Sequence, residues 1–182
     1  MNNWVALFRG INVGGRHIVP MAELRSMLAA MNCAEVATYI QSGNVVFRHA
    51  GRSADRLSGA IAKAVEQRFG FAPNVLLLTH GQLEEAIAGN PFPAATSEPK
   101  TLHLYFLAGD STNSELDGFA EFRAAREEIA LRGRVFYLHA PDGIGRSKLA
   151  ERVEKLLGVS ATARNWRTAT KTLELAQRLS GS

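Results

Sequence analysis

The chain has 182 residues, of which 46% are hydrophobic and 21% are charged, and this composition excludes a disordered or fibrous chain. Its formal net charge of +4 is too small to indicate nucleic-acid binding by itself. No apolar run approaches the roughly 20 residues that cross a bilayer, and the first residues lack the apolar region of a signal peptide. The single cysteine, Cys33, excludes an internal disulfide and a cysteine-based metal site. We therefore expect a cytoplasmic protein that does not contact a membrane.

The positive charge is concentrated near the C-terminus. Residues 146–182 contain eight basic and three acidic side chains, a net charge of +5, whereas residues 1–145 carry −1. A basic segment of this kind is compatible with an anionic ligand. A solvated helical face is the more common explanation.

The first half of the chain predicts two helices between four strands. Pro20 occupies a plausible first helical position, and hydrophobic residues repeat at helical spacing after it. Ser53 is a favourable N-cap and Gly70 a favourable C-cap for the second helix. The strands are predicted over residues 4–11, 36–40, 45–47 and 75–79. The order βαββαβ is that of a ferredoxin-like unit.

The second half predicts the same order of elements. Strands are predicted over residues 102–107, 128–131, 134–138 and 160–163, with helices around 116–123 and over 146–157. A short helix over 82–88 joins the halves, and a further helix follows the last strand. The predicted fold class is therefore α+β, with two ferredoxin-like lobes in tandem plus a C-terminal helix. We place the lobes at 1–80 and 101–182 and the linker at 81–100.

Motifs for several common chemistries are missing from the sequence. The five histidines show no metal-binding spacing, so we expect no metal site. There is no nucleophile elbow, no Walker loop and no dinucleotide-binding fingerprint. We therefore expect no cofactor and assign no catalytic residue, and whether the protein is an enzyme stays open.

The first polar cluster is the glycine-rich segment 9–16, between a predicted strand and a predicted helix. Arg9 and Arg16 could neutralise an anion, and the glycines would let backbone amides approach it. Asn12 adds a side-chain amide. The alternative is that Gly14 and Gly15 serve only to form the turn.

The second polar cluster is the predicted hairpin turn 41–44. Gln41, Ser42 and Asn44 supply more amides and hydroxyls than a turn requires, and such groups can recognise base edges or sugars. The alternative is a turn in which Gly43 and Asn44 adopt left-handed conformations.

The third polar cluster is the segment 162–168, after the last predicted strand. Arg164 and Asn165 are candidate ligand contacts, and Trp166 could stack on a base. Alternatively, Trp166 anchors the final helix in the core while Asn165 or Thr168 caps it.

Four segments resemble the signature blocks of a bacterial family, the domain-of-unknown-function family 1697. They are residues 6–15, 38–47, 90–92 and 162–166, so the resemblance extends over nearly the whole chain. A basic residue at Arg16 and a methionine at Met21 fit the family pattern, whereas Arg167 stands where an asparagine is more usual. The resemblance implies a cytoplasmic α+β protein with ferredoxin-like lobes. It implies no activity, cofactor or catalytic residue.

The first functional hypothesis is that the protein binds an anionic ligand, either nucleic acid or a nucleotide-like small molecule. The polar surface would lie between the lobes and consist of Arg9, Asn12, Arg16, Gln41, Ser42, Asn44, Arg164 and Asn165. One alternative is an enzyme for a small phosphorylated or carboxylated metabolite, with Ser42 or Ser147 participating. Another is a structural dimerisation module that pairs through a free strand edge.

Overall fold

The computed structural model describes residues 1–180, whose contacts divide them into two compact units. The first unit is Met1–Glu85 together with the residues from Thr170 onward, and the second is Ala86–Ala169. The division into lobes at 1–80 and 101–182 with a linker at 81–100 stays a prediction.

The first unit contains a four-stranded antiparallel sheet with the strand order β2-β3-β1-β4. Its two outer strands are β2 and β4, and its central strand β1 pairs with both β3 and β4. The elements are β1 Asn2–Arg9, α1 Met21–Ala30, β2 Ala34–Tyr39, β3 Asn44–His49, α2 Ala54–Phe69 and β4 Asn74–Thr79, followed by α3 His80–Ala88.

Local signals fix the ends of α2 as the sequence predicts. Ser53 Oγ accepts a hydrogen bond from the Arg56 backbone N–H at 3.3 Å, and Gly70 ends the helix at φ +81°. The apolar faces of α1 and α2 then pack on one face of the sheet. This core contains Trp4, Phe8, Leu24, Leu28, Phe47, Ile61 and Val65, all buried.

The second unit has the same strand order, β6-β7-β5-β8, and every neighbouring pair is antiparallel. Its elements are β5 Leu102–Leu107, α4 Phe119–Phe122, β6 Glu128–Arg132, β7 Val135–His139, α5 Val153–Leu157 and β8 Ala161–Asn165. The C-terminal helix, α6 Trp166–Ser180, follows β8. The predicted fold class, two ferredoxin-like lobes in tandem plus a C-terminal helix, is confirmed.

The helices of the second unit are shorter than the sequence predicts. In place of a helix around 116–123, α4 has four residues, because Glu127 Oε2 accepts the Ala124 N–H at 2.9 Å and turns the chain. In place of a helix over 146–157, α5 has five. Before it, Ser147 Oγ accepts the Ala150 N–H at 3.0 Å and forms a turn.

Within residues 1–180, no helix combines the length and the apolar composition needed to cross a membrane.

Candidate functional site

Asn12 joins the connection between β1 and α1 to the β2–β3 turn. Its Nδ2 donates to the Gln41 carbonyl at 2.7 Å and to the Val19 carbonyl at 3.0 Å. Its Oδ1 accepts the Val19 N–H at 2.8 Å. Two of these hydrogen bonds fix Asn12 within its own connection, and the third joins that connection to a segment 29 residues away.

The β2–β3 turn itself packs against β1. The Phe8 N–H donates to the Gly43 carbonyl at 2.8 Å, and a Cβ on Gly43 would come within 2.6 Å of Phe8 Cβ. Asn44 is fully buried, and its Nδ2 donates to the Tyr39 carbonyl and to Ser42 Oγ at 3.2 and 3.0 Å. Asn44 and Ser42 therefore shape the turn from within.

We call residues 9–18 and 40–43 the loop–turn surface. Its backbone is unusual, because seven of these residues have positive φ angles: Gly10, Asn12, Gly14, Gly15, His17, Ile40 and Gly43. Ile40, at φ +50°, is β-branched and therefore strained in this region. The His17 ring stacks on Phe71 with 4.2 Å between centroids. The surface is thus a strongly constrained structure although it lies outside the helices and strands.

The loop–turn surface exposes both apolar and cationic side chains. Val13, Ile18 and Ile40 are 64%, 57% and 52% exposed, and Arg9, Arg16 and Gln41 are exposed as well. Large apolar side chains grouped at one exposed place are typical of an interaction surface.

Carboxylates are missing from this part of the chain. Residues 9–20 and 38–47 contain no Asp or Glu. The nearest acids in the sequence have partners elsewhere: Glu23 pairs with Arg68 at 2.9 Å and Glu35 pairs with Arg48 at 2.8 Å. The residues of the loop–turn surface therefore include basic side chains and no acidic ones.

The remaining two predicted contacts lie on β8, in the second unit. Arg164 Nη1 donates to the neighbouring Ala163 carbonyl at 2.8 Å, and burial lowers the pKa of the Arg164 guanidinium to about 10. Asn165 Oδ1 accepts the Thr168 N–H at 2.9 Å, which is the capping alternative considered above. The structure thus brings Arg9, Asn12, Arg16, Gln41, Ser42 and Asn44 together within the first unit and places Arg164 and Asn165 on one strand of the second.

A cleft of about 400 Å³ in the second unit was missed by the sequence analysis. Phe92 lines it. The Asn90 side chain donates a hydrogen bond to the Phe92 carbonyl and accepts one from the Phe92 N–H. His139 and Glu128 also line it, with 2.9 Å between Nδ1 and Oε2. The pair could have been found from the hairpin register, since the two residues are directly opposite each other on β7 and β6.

The described part of the chain contains no group of three or more His, Cys, Asp or Glu residues arranged to hold a metal ion. Cys33 is buried in the core of the first unit, and burial raises the pKa of its thiol to about 11. Its local environment is that of a structural thiol.

Comparisons with known proteins identify relatives without a described activity. The model of a family described as "Protein of unknown function (DUF1697)" matches residues 1–137. A solved structure, that of the conserved bacterial protein SP0830 from Streptococcus pneumoniae, is similar with a TM-score of 0.73 at 20% sequence identity. The similarity covers 96% of this chain and 98% of that one. A search of curated proteins found no match.

Proposed function

The chain belongs to the DUF1697 family, and from that premise we propose that it is a cytoplasmic protein that binds single-stranded nucleic acid through the loop–turn surface. The phosphates would pair with Arg9 and Arg16. The bases would contact Val13, Ile18 and Ile40, and Gln41 would donate or accept hydrogen bonds at a base edge.

One observation carries this proposal: the Asn12 side chain fixes the loop to the turn. Ordering two flexible segments at the moment of binding would cost conformational entropy, and this cost is reduced when the protein itself has already ordered them. Arg9, Arg16 and Gln41 then belong to one preformed surface whose own residues include no Asp or Glu. A surface of that kind supports recognition of an anion.

The exposure of the side chains on the loop–turn surface favours an extended ligand over a small molecule bound in a pocket. Sites for small molecules are concave and bury most of the ligand. Here Arg9, Arg16 and Gln41 are exposed, and so are the three apolar side chains beside them. A polyanion with apolar base faces fits such an open surface better than a mononucleotide does. That Arg164 and Asn165 contribute to the same interaction stays a prediction.

Fluorescence anisotropy with labelled single-stranded oligonucleotides tests the proposal. We expect Arg9→Gln and Arg16→Gln each to weaken binding about tenfold, since a hydrogen bond to a charged group is lost. Log K should fall with log salt with a slope of about −1.4 for two neutralised phosphates, and each variant should reduce the slope by about 0.7.

Arg56→Gln is the matched control, because Arg56 is an exposed arginine on α2, outside the loop–turn surface. It should leave both affinity and slope unchanged. Equal loss in all three variants would indicate non-specific attraction and contradict the proposal. Binding of a mononucleotide with the same affinity as the oligonucleotide would instead identify a small-molecule site.

A further inference from the structure

A second polar site lies in the first unit, in a cleft of about 470 Å³. The first residues of β1 line it, including Asn2 and Trp4, together with Arg52 and the segment from Thr79 to Gly81. The described residues that line the cleft include no Asp or Glu. Its character is therefore that of a donor-rich, cationic cleft.

The first helix turn of α3 supplies backbone donors to the cleft. Thr79 Oγ1 accepts the Gln82 N–H at 3.2 Å, and Gln82 Oε1 accepts the Thr79 N–H at 2.8 Å, which forms a capping box. This arrangement leaves the N–H groups of His80 and Gly81 without acceptors inside the helix. Gly81 is exposed and has no side chain to shield its N–H. The positive end of the helix dipole adds to the attraction for an anion.

A buried indole N–H gives independent evidence for a ligand. Trp4 is only 4% exposed, and its Nε1 has no hydrogen-bond partner among residues 1–180. His80 Nε2, from the same cleft lining, is likewise inaccessible to solvent and unpartnered. A buried donor without an acceptor destabilises the folded state. An oxygen atom entering the cleft beside the Trp4 ring would remove that destabilisation.

The residue before Arg52, Gly51, is fixed by two hydrogen bonds. Asn2 Nδ2 donates to the Gly51 carbonyl at 3.0 Å, and the Gly51 N–H donates to His49 Nδ1 at 2.9 Å. A Cβ on Gly51 would approach the same His49 nitrogen to 2.8 Å, so this position favours glycine. The backbone before Arg52 is thus fixed, and the guanidinium supplies the positive charge of the site.

We propose that this cleft binds the phosphate group of a small molecule, with Arg52, the N–H groups of His80 and Gly81, and the Trp4 indole N–H as donors. A tetrahedral oxyanion presents several acceptor oxygens, which suits a cleft lined by donors from a helix start, a loop and a strand. The cleft is distinct from the loop–turn surface. The result of a phosphate-binding experiment therefore has no bearing on the nucleic-acid proposal.

The Trp4 indole N–H signal provides a direct test by NMR on the full chain. The protein has two tryptophans, so Trp166→Phe assigns the two indole signals. Inorganic phosphate is titrated against sodium chloride at matched ionic strength. We expect the Trp4 signal to move downfield and saturate, because the N–H gains an acceptor. Arg52→Gln should raise the Kd about tenfold.

Arg56→Gln is the control here, since Arg56 is an exposed arginine on α2 that does not line the cleft, and it should leave phosphate binding unchanged. A Trp4 signal that stays in place, or that moves equally with chloride, overturns the proposal. An unchanged Kd in Arg52→Gln also overturns it. Titration with glycerol phosphate distinguishes the source of the group, because a lower Kd than that of inorganic phosphate identifies a phosphate ester as the ligand.

Discussion

In each lobe, the connection after the first strand meets the hairpin turn between the second and third strands, and we call this place the corner of the lobe. The two corners differ in their charged side chains. In the first unit this corner is the loop–turn surface, which has arginines and no carboxylate. In the second unit Asp110, after β5, pairs with Arg134 of the β6–β7 turn at 2.8 Å. That hydrogen bond and charge lower the pKa of the Asp110 carboxyl. The same topology thus has arginines and no acidic residue at this place in one lobe and an Asp–Arg pair in the other.

An asparagine fixes the first connection in both lobes, but to different places. Asn113 repeats the hydrogen-bond pattern of Asn12: its Oδ1 accepts the Asp117 N–H and its Nδ2 donates to the Asp117 carbonyl, both at 3.0 Å. Its second acceptor is the Leu156 carbonyl in α5, also at 3.0 Å, whereas Asn12 reaches the hairpin turn at Gln41. The strand order is the same in both lobes and does not determine which segment the asparagine contacts. The hydrogen bonds of individual side chains determine it, and only in the first lobe do they join the connection to the hairpin turn.

The largest expected effect comes from the glycines of the two hairpin turns. Gly43→Ala should lower the free energy of unfolding by about 2–5 kcal/mol, since its φ is +73° and its Cβ would clash with Phe8. Gly133→Ala in the β6–β7 turn has φ +55° and open space, so about 1–2 kcal/mol is expected. Urea unfolding measures both values. Equal losses would show that the first turn is not packed against β1.

The paired asparagines give the next largest effect. Asn12→Asp and Asn113→Asp each remove two donated hydrogen bonds and keep one acceptor, so each should cost about 2 kcal/mol of unfolding free energy. Only Asn12→Asp should also weaken oligonucleotide binding in the anisotropy assay, because only that change loosens the loop–turn surface. If both variants reduced binding alike, the distinction between the corners would be lost.

Alkaline pH should lower the stability of the two lobes over different, overlapping ranges. Burial raises the pKa of Cys33 from 9.0 to about 11, so the thiol ionises in the unfolded chain first. The free energy of unfolding should therefore fall as pH rises from 9 to 11. Burial raises the pKa of Tyr105 in the second unit from 10.0 to about 12, so its contribution is lost as pH rises from 10 to 12. Urea unfolding of Cys33→Ala should show a shallower decline from pH 9 to 11. An identical decline would refute the assignment to Cys33.

The smallest effect on stability is expected when an acidic residue is introduced into the corner of the first lobe, to imitate Asp110 in the second. Gln41→Glu places a carboxylate among the arginines, much as Asp110 lies beside Arg134. Oligonucleotide affinity should fall about threefold to tenfold, while unfolding free energy changes by less than about 0.5 kcal/mol. Asp110→Asn is the counterpart in the second unit and should leave affinity unchanged. A fall in affinity with Asp110→Asn would argue that both corners bind.

Local signals made part of the fold predictable from sequence. The two ends of α2 could be predicted from Ser53 and Gly70, because an N-cap and a C-cap act on neighbouring residues only. The helices α4 and α5 were predicted too long, since hydrophobic spacing does not reveal that Glu127 and Ser147 hydrogen-bond the backbone and turn the chain. Leu149 is buried as its spacing suggests, although it precedes α5.

The candidate surface was predictable only as separate polar clusters. Composition identified Asn12 and Gln41, but the bond between them depends on the pairing of β1 with β3, which brings distant segments together. The partial burial of Arg164 follows from packing around β8 and has no signature in the sequence. The phosphate cleft was missed for a similar reason, because Trp4 and Thr79 become neighbours only through strand register.

Mapping of backbone amide shifts with a single-stranded oligonucleotide tests the central claim most directly. We expect shift changes at residues 9–18 and 40–43, reduced in Arg16→Gln, with the corner around Asp110 and Arg134 unaffected. Changes centred on that second corner, or no changes at the loop–turn surface at saturating oligonucleotide, would contradict the claim that this surface binds nucleic acid.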